Sequence, residues 1–377
     1  MLRVAIVGCG KIADTHASQI QRIAGCEIVA VCDTERLMAG QLAERFRVNR
    51  YFTSLTELLN ECRPDVAHIT TPPDSHFKIA VSCLERGCNI YVEKPFTLNY
   101  PDAQHLIGLA EQKKLKLTVG HDGQFSHVAR RMRTLVQSGY LGGMPIHMES
   151  YYCYDLGESG YSRALLGDKQ HWVRRLPGKL LHNIISHGIA RITEFLVTDS
   201  PQVHAFGFVS PFLKRMGESE FIDELRVIIS EEERTTAYFT FSSQMRPALH
   251  QLRLYGPKNG LIVDQDQEIL IKLRGERGKS YLEKFIPPVN FAQQYINNLA
   301  TNVRAFLKRD FHMSGGMHYL IESFYRSITQ DSAVPIPYRE ILVTARIMDA
   351  IFDQLSARSQ SEIQSEPRGG LGGSKNC

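Results

Sequence analysis

Long apolar runs are missing from this sequence: nothing in it approaches the roughly 20 consecutive residues that a helix needs to cross a bilayer. The opening stretch, MLRVAIVGCG, lacks the basic region, apolar core and small-residue cleavage site of a secretory signal. Neither sign of charge prevails. With 44 Lys+Arg against 40 Asp+Glu the formal net charge is only +4, spread along the chain, which leaves no footprint for nucleic acid or a membrane surface and keeps small neutral or mildly acidic ligands open. The eight cysteines form no CxxC pair and no Cys/His cluster at zinc spacing, so they read as reduced, mostly buried thiols of a cytoplasmic protein without a metal site. No internal repeat is present.

What is present is length and alternation. A chain of 377 residues exceeds the size at which one hydrophobic core stops growing, so two domains are expected. Up to about residue 121, short runs rich in Val and Ile (LRVAIV 2–7, EIVAVC 27–32, DVAHIT 65–70, NIYV 89–92, LKLTV 115–119) are apolar on both faces and alternate with helical patterns. Ser54 and Glu57 stand at capping-box spacing ahead of one helix, and Gly87 follows another where it should stop. Strict alternation implies parallel strands with helical crossovers, hence a doubly wound α/β domain over 1–121. Beyond it, RVIISEEERTTAYFTFSS, HQLRLYG, GLIVD and EILIKLRG follow in close succession and predict a mainly antiparallel open sheet. The alternation of Ala237, Phe239, Phe241 with Thr236, Tyr238, Thr240 predicts one covered face and one free face. Helical patterns near 291–308 and 338–357 complete an α+β domain over 122–358, and the Gly- and Ser-rich tail 359–377 reads as disordered.

Gly8-Cys9-Gly10-Lys11-Ile12-Ala13 follows the first strand directly and opens a helix. In that setting a G-x-G-x-x-A loop has mechanical meaning: the first glycine turns the chain, the second admits a pyrophosphate to the backbone, and the third small residue lets helix and strand pack. Helix-start amides then hold the phosphates. Asp33, ending the second strand, is placed to accept both ribose hydroxyls and repel a 2′-phosphate, which favours NAD; Arg36, three residues on, keeps NADP open.

TTPPDSH, from Thr70 to His76, ends the strand before NIYV, so Thr71, Pro72 and His76 are expected along the crevice at the carboxyl edge of the sheet. The next strand delivers Glu93-Lys94-Pro95 to the same edge, with Lys94 at the crevice mouth, Glu93 beside it to orient it, and Pro95 fixing the backbone. Farther on, GKLLHNIISHGIARITEFL reads as one helix that stacks Asn183 and His187, four apart, on one face.

VGCGKIADTHASQI, Asp33, TTPPDSH, YVEKPF, SGYLGGMPIH and HNIISHG, in this order and over the whole chain except the tail, resemble the Gfo/Idh/MocA family of glucose–fructose oxidoreductase, inositol dehydrogenase and rhizopine-catabolism proteins. The resemblance implies a Rossmann domain followed by an α+β domain whose open sheet often joins subunits, hence a homodimer or homotetramer. It implies NAD(P)-dependent hydride transfer at a secondary alcohol or ketone of a sugar, cyclitol or nucleotide sugar. Lys94 is then the lysine at the reacting oxygen, His187 the proton carrier, and Asn183 the substrate-orienting neighbour.

Three positions depart from the family pattern. Asn183 stands where relatives commonly have aspartate, and cannot stabilise an imidazolium as a carboxylate does. HDGQF, His121 to Phe125, stands where many carry an Asn and an Arg, and Lys179 replaces a small residue. His121, Tyr151, Trp172 and His182 are further candidates for substrate contact; Tyr152 and Tyr154 share the aromatic character that sugar pockets use. His171, His182 and His187 have no carboxylate or Cys at recognisable spacing to complete a metal site. RRLPGK is basic enough to meet a phosphate but reads more simply as a solvated loop. Two rival readings share the fold: a glycosidase using tightly held NAD, which forms no net NADH, and a non-catalytic nucleotide-binding sensor.

Overall fold

The computed structural model describes residues 1–156, 167–275, 278–308 and 315–365. Strands β1 (Leu2–Val7), β2 (Cys26–Cys32), β3 (Tyr51–Phe52), β4 (Val66–Ile69), β5 (Asn89–Val92) and β6 (Leu117–Val119) form one parallel sheet in the order β3-β2-β1-β4-β5-β6. Helices α1 (Lys11–Ile20), α2 (Arg36–Phe46), α3 (Leu55–Cys62), α4 (His76–Glu85) and α5 (Tyr100–Gln112) connect them. Val4, Ile6, Val66, Ile69 and Ile90 are wholly buried, as strands covered on both faces require. The expected punctuation is in place: Ser54 Oγ accepts the Glu57 amide at 3.4 Å, and Gly87, at φ +79°, turns the chain after α4. The two-residue β3 was too short to register as a pattern.

Strand order reverses between β1 and β4, so the crevice of this sheet opens at their carboxyl ends. The glycine loop and the Thr70–His76 segment meet there. Thr70 Oγ1 donates to the carbonyl of Gly8 at 2.6 Å, and a Cβ on Gly8 (φ +97°) would stand 2.6 Å from the Thr71 nitrogen. Only glycine fits.

Helix α6 (His127–Gln137) leads into the second sheet, whose strands β7 (His147–Asp155), β8 (Gln202–Phe208), β9 (Glu224–Glu231), β10 (Thr235–Ser242), β11 (Gln244–Tyr255), β12 (Asn259–Asp264) and β13 (Ile269–Arg274) lie in the order β13-β12-β11-β7-β10-β9-β8. All neighbours are antiparallel except β7 and β10. Ala237, Phe239 and Phe241 are buried on one face, while Tyr238, Ile228 and Phe206 are exposed on the other. The stretch read as one helix after Gly178 is two, α7 (Lys179–Ile184) and α8 (Ser186–Thr193). Ile185 between them keeps right-handed helical angles, so the direction of the chain is nearly preserved. A short α9 (Pro211–Arg215) follows.

Three helices end the described chain: α10 (Ile286–Leu307), α11 (Gly315–Thr329) and α12 (Tyr338–Ser365). Helix α11 had no counterpart in the sequence reading. Its Leu320, Ile321, Phe324 and Tyr325 belong to the core of the first sheet, so the chain returns to the first domain after building the second. Helix α12 continues through Ser365, into the stretch expected to be disordered; the rest of that tail lies outside the described residues. No described helix is long and apolar enough to cross a membrane.

Candidate active site

The nucleotide end of the crevice is built from backbone. No side chain caps α1, and a Cβ at Gly10 would meet nothing within 4 Å, so the start of the helix at Gly10 faces open space. Lys11 and Ile12 are exposed beside it and Ala13 is wholly buried against the sheet. Asp33 Oδ2 accepts the Cys9 amide at 2.7 Å and Oδ1 accepts the Glu35 amide at 2.9 Å, which ties the glycine loop to the end of β2 and leaves lone pairs on both oxygens. Arg36 is exposed, its guanidinium 5.9 Å from the centre of the Tyr51 ring. Thr71 forms the wall opposite Gly8, and Pro72 is exposed at the rim.

Two residues expected along this crevice lie behind it. His76 is wholly buried; its ring nitrogens are 2.9 Å from the carbonyls of Pro95 and Thr71, and burial lowers its pKa. It ties the two segments of the crevice wall together. Glu93 is also buried: Oε1 is 2.8 Å from His16 Nε2, and Oε2 accepts the backbone amide of Lys94 at 3.2 Å, so it holds the Lys94 backbone and not its ammonium. Burial alone would raise the Glu93 pKa, but the His16 hydrogen bond prevails and the net shift is downward. His16 Nδ1 in turn lies 2.8 Å from His68 Nδ1, and His68 Nε2 lies 2.8 Å from the Tyr325 hydroxyl of α11.

Lys94 itself points from β5 across to the second domain. Its ammonium donates to the backbone carbonyl of Asn183 at 2.9 Å and approaches the Asn183 side-chain oxygen at 3.5 Å. The Lys94–Pro95 bond is cis. Burial lowers the Lys94 pKa, against the opposing charges of Glu93 and Asp122. His187, on the first turn of α8, has its pKa held well below the usual imidazole value by burial and then by the Lys94 cation, so its ring is neutral.

The His121-Asp122 pair, flagged above only as a departure from pattern, follows β6 and enters the same space. Asp122 Oδ1 stands 4.0 Å from His187 Nδ1, too long for a hydrogen bond and within reach of a charge pair. Burial, then the neighbouring Glu93 charge, pushes its pKa up to about 6. His121 is buried with its ring centre 5.7 Å from that of His187, and burial pushes its pKa down to about 4. Asp122 could have been marked from sequence by the rule that brought Lys94 forward: it stands just past the carboxyl end of a buried strand.

The remaining candidates separate. Tyr152 stacks on His187 with ring centres 5.6 Å apart, and Tyr154 packs edge-on against Tyr152. Tyr151 points to the other face of β7, where its hydroxyl donates to Glu149 at 3.0 Å, because consecutive residues of a strand face opposite ways. Trp172 stacks on His171 and packs against the second core. His182 is buried against Phe352 and lines a small cavity behind Pro95 with His121 and Ser186. Arg191, which no sequence signal marked, is buried under Tyr152; it donates to Tyr151 O at 2.9 Å and Gln265 Oε1 at 2.8 Å. No cluster of three His, Cys, Asp or Glu side chains suited to a metal occurs among the described residues. In RRLPGK, Arg174 pairs with Glu218 at 2.9 Å and Lys179 with Glu220 at 2.7 Å.

A glycine loop at the switch point of a 3-2-1-4-5-6 sheet, facing a lysine and a histidine contributed by separate domains, defines a Rossmann-type protein with an appended α+β domain. Residues 2–121 match the Gfo/Idh/MocA family model, described as an oxidoreductase family with an NAD-binding Rossmann fold. UDP-N-acetylglucosamine 3-dehydrogenase of Acidithiobacillus ferrooxidans is 32% identical over 149 residues, which are 40% of this chain and 44% of that protein. D-glucoside 3-dehydrogenase of Escherichia coli is 31% identical over 142 residues, 37% of this chain and 40% of that protein. The chain thus spans less than half the length of these curated relatives. The whole fold is shared with the WlbA dehydrogenase of Bordetella pertussis, solved with NADH and UDP-GlcNAcA: TM-score 0.69 at 15% identity, covering 95% of this chain and 97% of that one.

Proposed function

We propose that this protein is an oxidoreductase that uses NAD, in preference to NADP, to interconvert a secondary alcohol and a ketone on a sugar, cyclitol or nucleotide sugar. The observation that carries the reading is the Lys94 ammonium, 2.9 Å from the Asn183 carbonyl across the domain crevice, in one space with neutral His187 and with Asp122. The open cradle at Gly10, the uncapped start of α1 and the free lone pairs of Asp33 fit a dinucleotide: Gly8 to Ala13 take the pyrophosphate and Asp33 the adenosine ribose. Bound there, the nicotinamide supplies the acceptor or donor of hydride.

The chain's own residues handle charge and proton. In the oxidising direction the substrate hydroxyl lies against Lys94, whose fixed cation stabilises the alkoxide-like charge as the carbon loses hydride. The hydroxyl proton passes to the neutral ring of His187. Asp122, near Nδ1, then stabilises the imidazolium, a service that Asn183 has no charge to perform. Asn183 orients the substrate and Tyr152 backs the histidine ring. Reduction runs the same steps backward. Relatives named for action on glucosides and UDP-sugars support the substrate class.

The test is a panel of sugars, inositols and nucleotide sugars, followed by NADH or NADPH absorbance with each cofactor separately. Turnover is expected with NAD and a polyol, sugar or nucleotide sugar, and is expected to fail in Lys94→Ala and His187→Ala. Absence of binding by either dinucleotide, or unchanged turnover in both variants, refutes the proposal. Release of a leaving group from a glycoside without net NADH favours the glycosidase instead.

A further inference from the structure

Helix α10 is built inside out. Between Tyr281 and Leu307 stand eleven of the twenty-four large hydrophobic side chains that are exposed among the described residues. Its inward face is polar. Asn298 both accepts from the Leu270 amide (3.0 Å) and donates to the Leu270 carbonyl (2.9 Å). One turn earlier, Gln294 does the same at Lys272 (2.7 and 3.2 Å), and one turn later Asn302 donates to the Gln267 carbonyl at 3.0 Å. Three amides at i, i+4 and i+8 thus cap the backbone along and just before β13, the edge strand of the second sheet. An open edge strand needs such closure, and the consequence is that the apolar stripe is turned outward.

That stripe has a definite period. Val289, Ala292, Ile296, Leu299, Val303 and Phe306 follow one another at steps of 3, 4, 3, 4 and 3, the seam of a coiled coil and narrower than the face that a helix buries in its own domain. All six are exposed, Leu299 by 65% and Phe306 by 69%.

We propose that this seam packs against the same helix of a second copy of the chain. From Phe285 to Val303 there is no charged residue, so nothing selects a partner of complementary charge and two copies meet without repulsion. A stable interface buries about 800 Å² per partner, more than the six seam side chains expose, so Ile286, Phe291, Tyr295 and Leu307, exposed beside the seam, belong to the same contact. A self-complementary stripe is what a two-fold contact uses. The interface is distinct from the free face of the second sheet and independent of the catalytic reading.

Three measurements test it: the mass of the full chain at micromolar concentration, by sedimentation or light scattering; the same for the double variant Ile296→Glu/Leu299→Glu, with Ile228→Glu/Tyr238→Glu on the open sheet face as comparison; and oxidative cross-linking of Ile296→Cys in a Cys377→Ser background. Expected are a wild-type mass of at least two chains, a folded α10 variant whose mass halves and whose association weakens at least 100-fold, and a cross-linked dimer of Ile296→Cys. A monomeric wild type, or a folded α10 variant of unchanged mass, overturns the proposal. If the α10 variant does not fold, the cross-link decides: no dimer, no seam.

Discussion

Replacing Lys94 by methionine separates the two things this residue does. The side chain becomes one atom shorter, keeps most of its apolar stem and loses its charge. If the ammonium stabilises developing negative charge on the reacting oxygen, its removal resembles loss of an oxyanion donor, and kcat is expected to fall by about 10²–10³, or about 2.7–4 kcal/mol. Stability should move little. Burial lowers the Lys94 pKa, which means that the native state disfavours the charge on balance, and methionine relieves that penalty. Against this stands the lost bond to the Asn183 carbonyl, worth about 0.5–1.5 kcal/mol net. The crevice is partly open, so water can replace the donor. The assay is paired: steady-state kinetics with NAD and a substrate from the panel, and thermal unfolding of the same preparations. Loss of kcat with an unfolding midpoint within a few degrees of wild type supports the assignment. Unchanged kcat refutes it, and parallel loss of activity and stability shows that Lys94 merely joins the domains.

Asp122→Asn is expected to lower kcat/KM and to remove a fall in activity below about pH 6, where the wild-type carboxylate takes up its proton; because that pKa is raised in the folded state, the ionised form costs stability, so the variant should unfold no earlier than wild type at pH 8. A pH–rate profile and a melting curve read both. Asp33→Ala should raise KM for NAD about tenfold or more, as loss of hydrogen bonds to a charged acceptor worth about 1.5–3 kcal/mol each implies, and narrow the gap between NAD and NADP. His16→Ala leaves Glu93 buried without its partner and should cost about 3–5 kcal/mol in urea titrations at neutral pH. That contribution exists because the Glu93 pKa is depressed, so the gap should close as pH falls below the ordinary glutamate range. Gly188→Ala places a methyl 2.3 Å from Phe239 Cε2 and should cost about 1–3 kcal/mol by overpacking.

Which parts of this molecule could be read without coordinates follows from the range of the forces involved. Local rules sufficed for β1, β5, the Ser54 cap and the turn at Gly87, because apolar period, side-chain capping and left-handed glycine act within a few residues. The same rules missed α11, whose apolar side chains bury against strands more than 200 residues earlier, as the bond between His68 and Tyr325 illustrates. They also misplaced His76 and Glu93. Glu93 directly follows β5 and His76 opens α4 beyond the turn after β4, but the His76 ring nitrogens and the Glu93 carboxylate found partners behind the wall, and an unpaired polar group cannot be buried cheaply. Tyr151 and Tyr152 differ only by the alternation of the strand, and which of the two faces His187 depends on the register of β7 in its sheet.

Sequence by itself determined the doubly wound first half, the glycine loop with its acid at Asp33, and the presence of a lysine and a histidine on elements that could face one another, since each rests on contacts within one strand, turn or helix. Tertiary structure alone decided that Asp122 stands within 4.0 Å of His187, that Glu93 pairs with His16 behind the crevice wall, and that α10 turns its polar side inward. Those outcomes depend on which distant groups converge in three dimensions, where burial and charge set the protonation and pairing of every group they enclose.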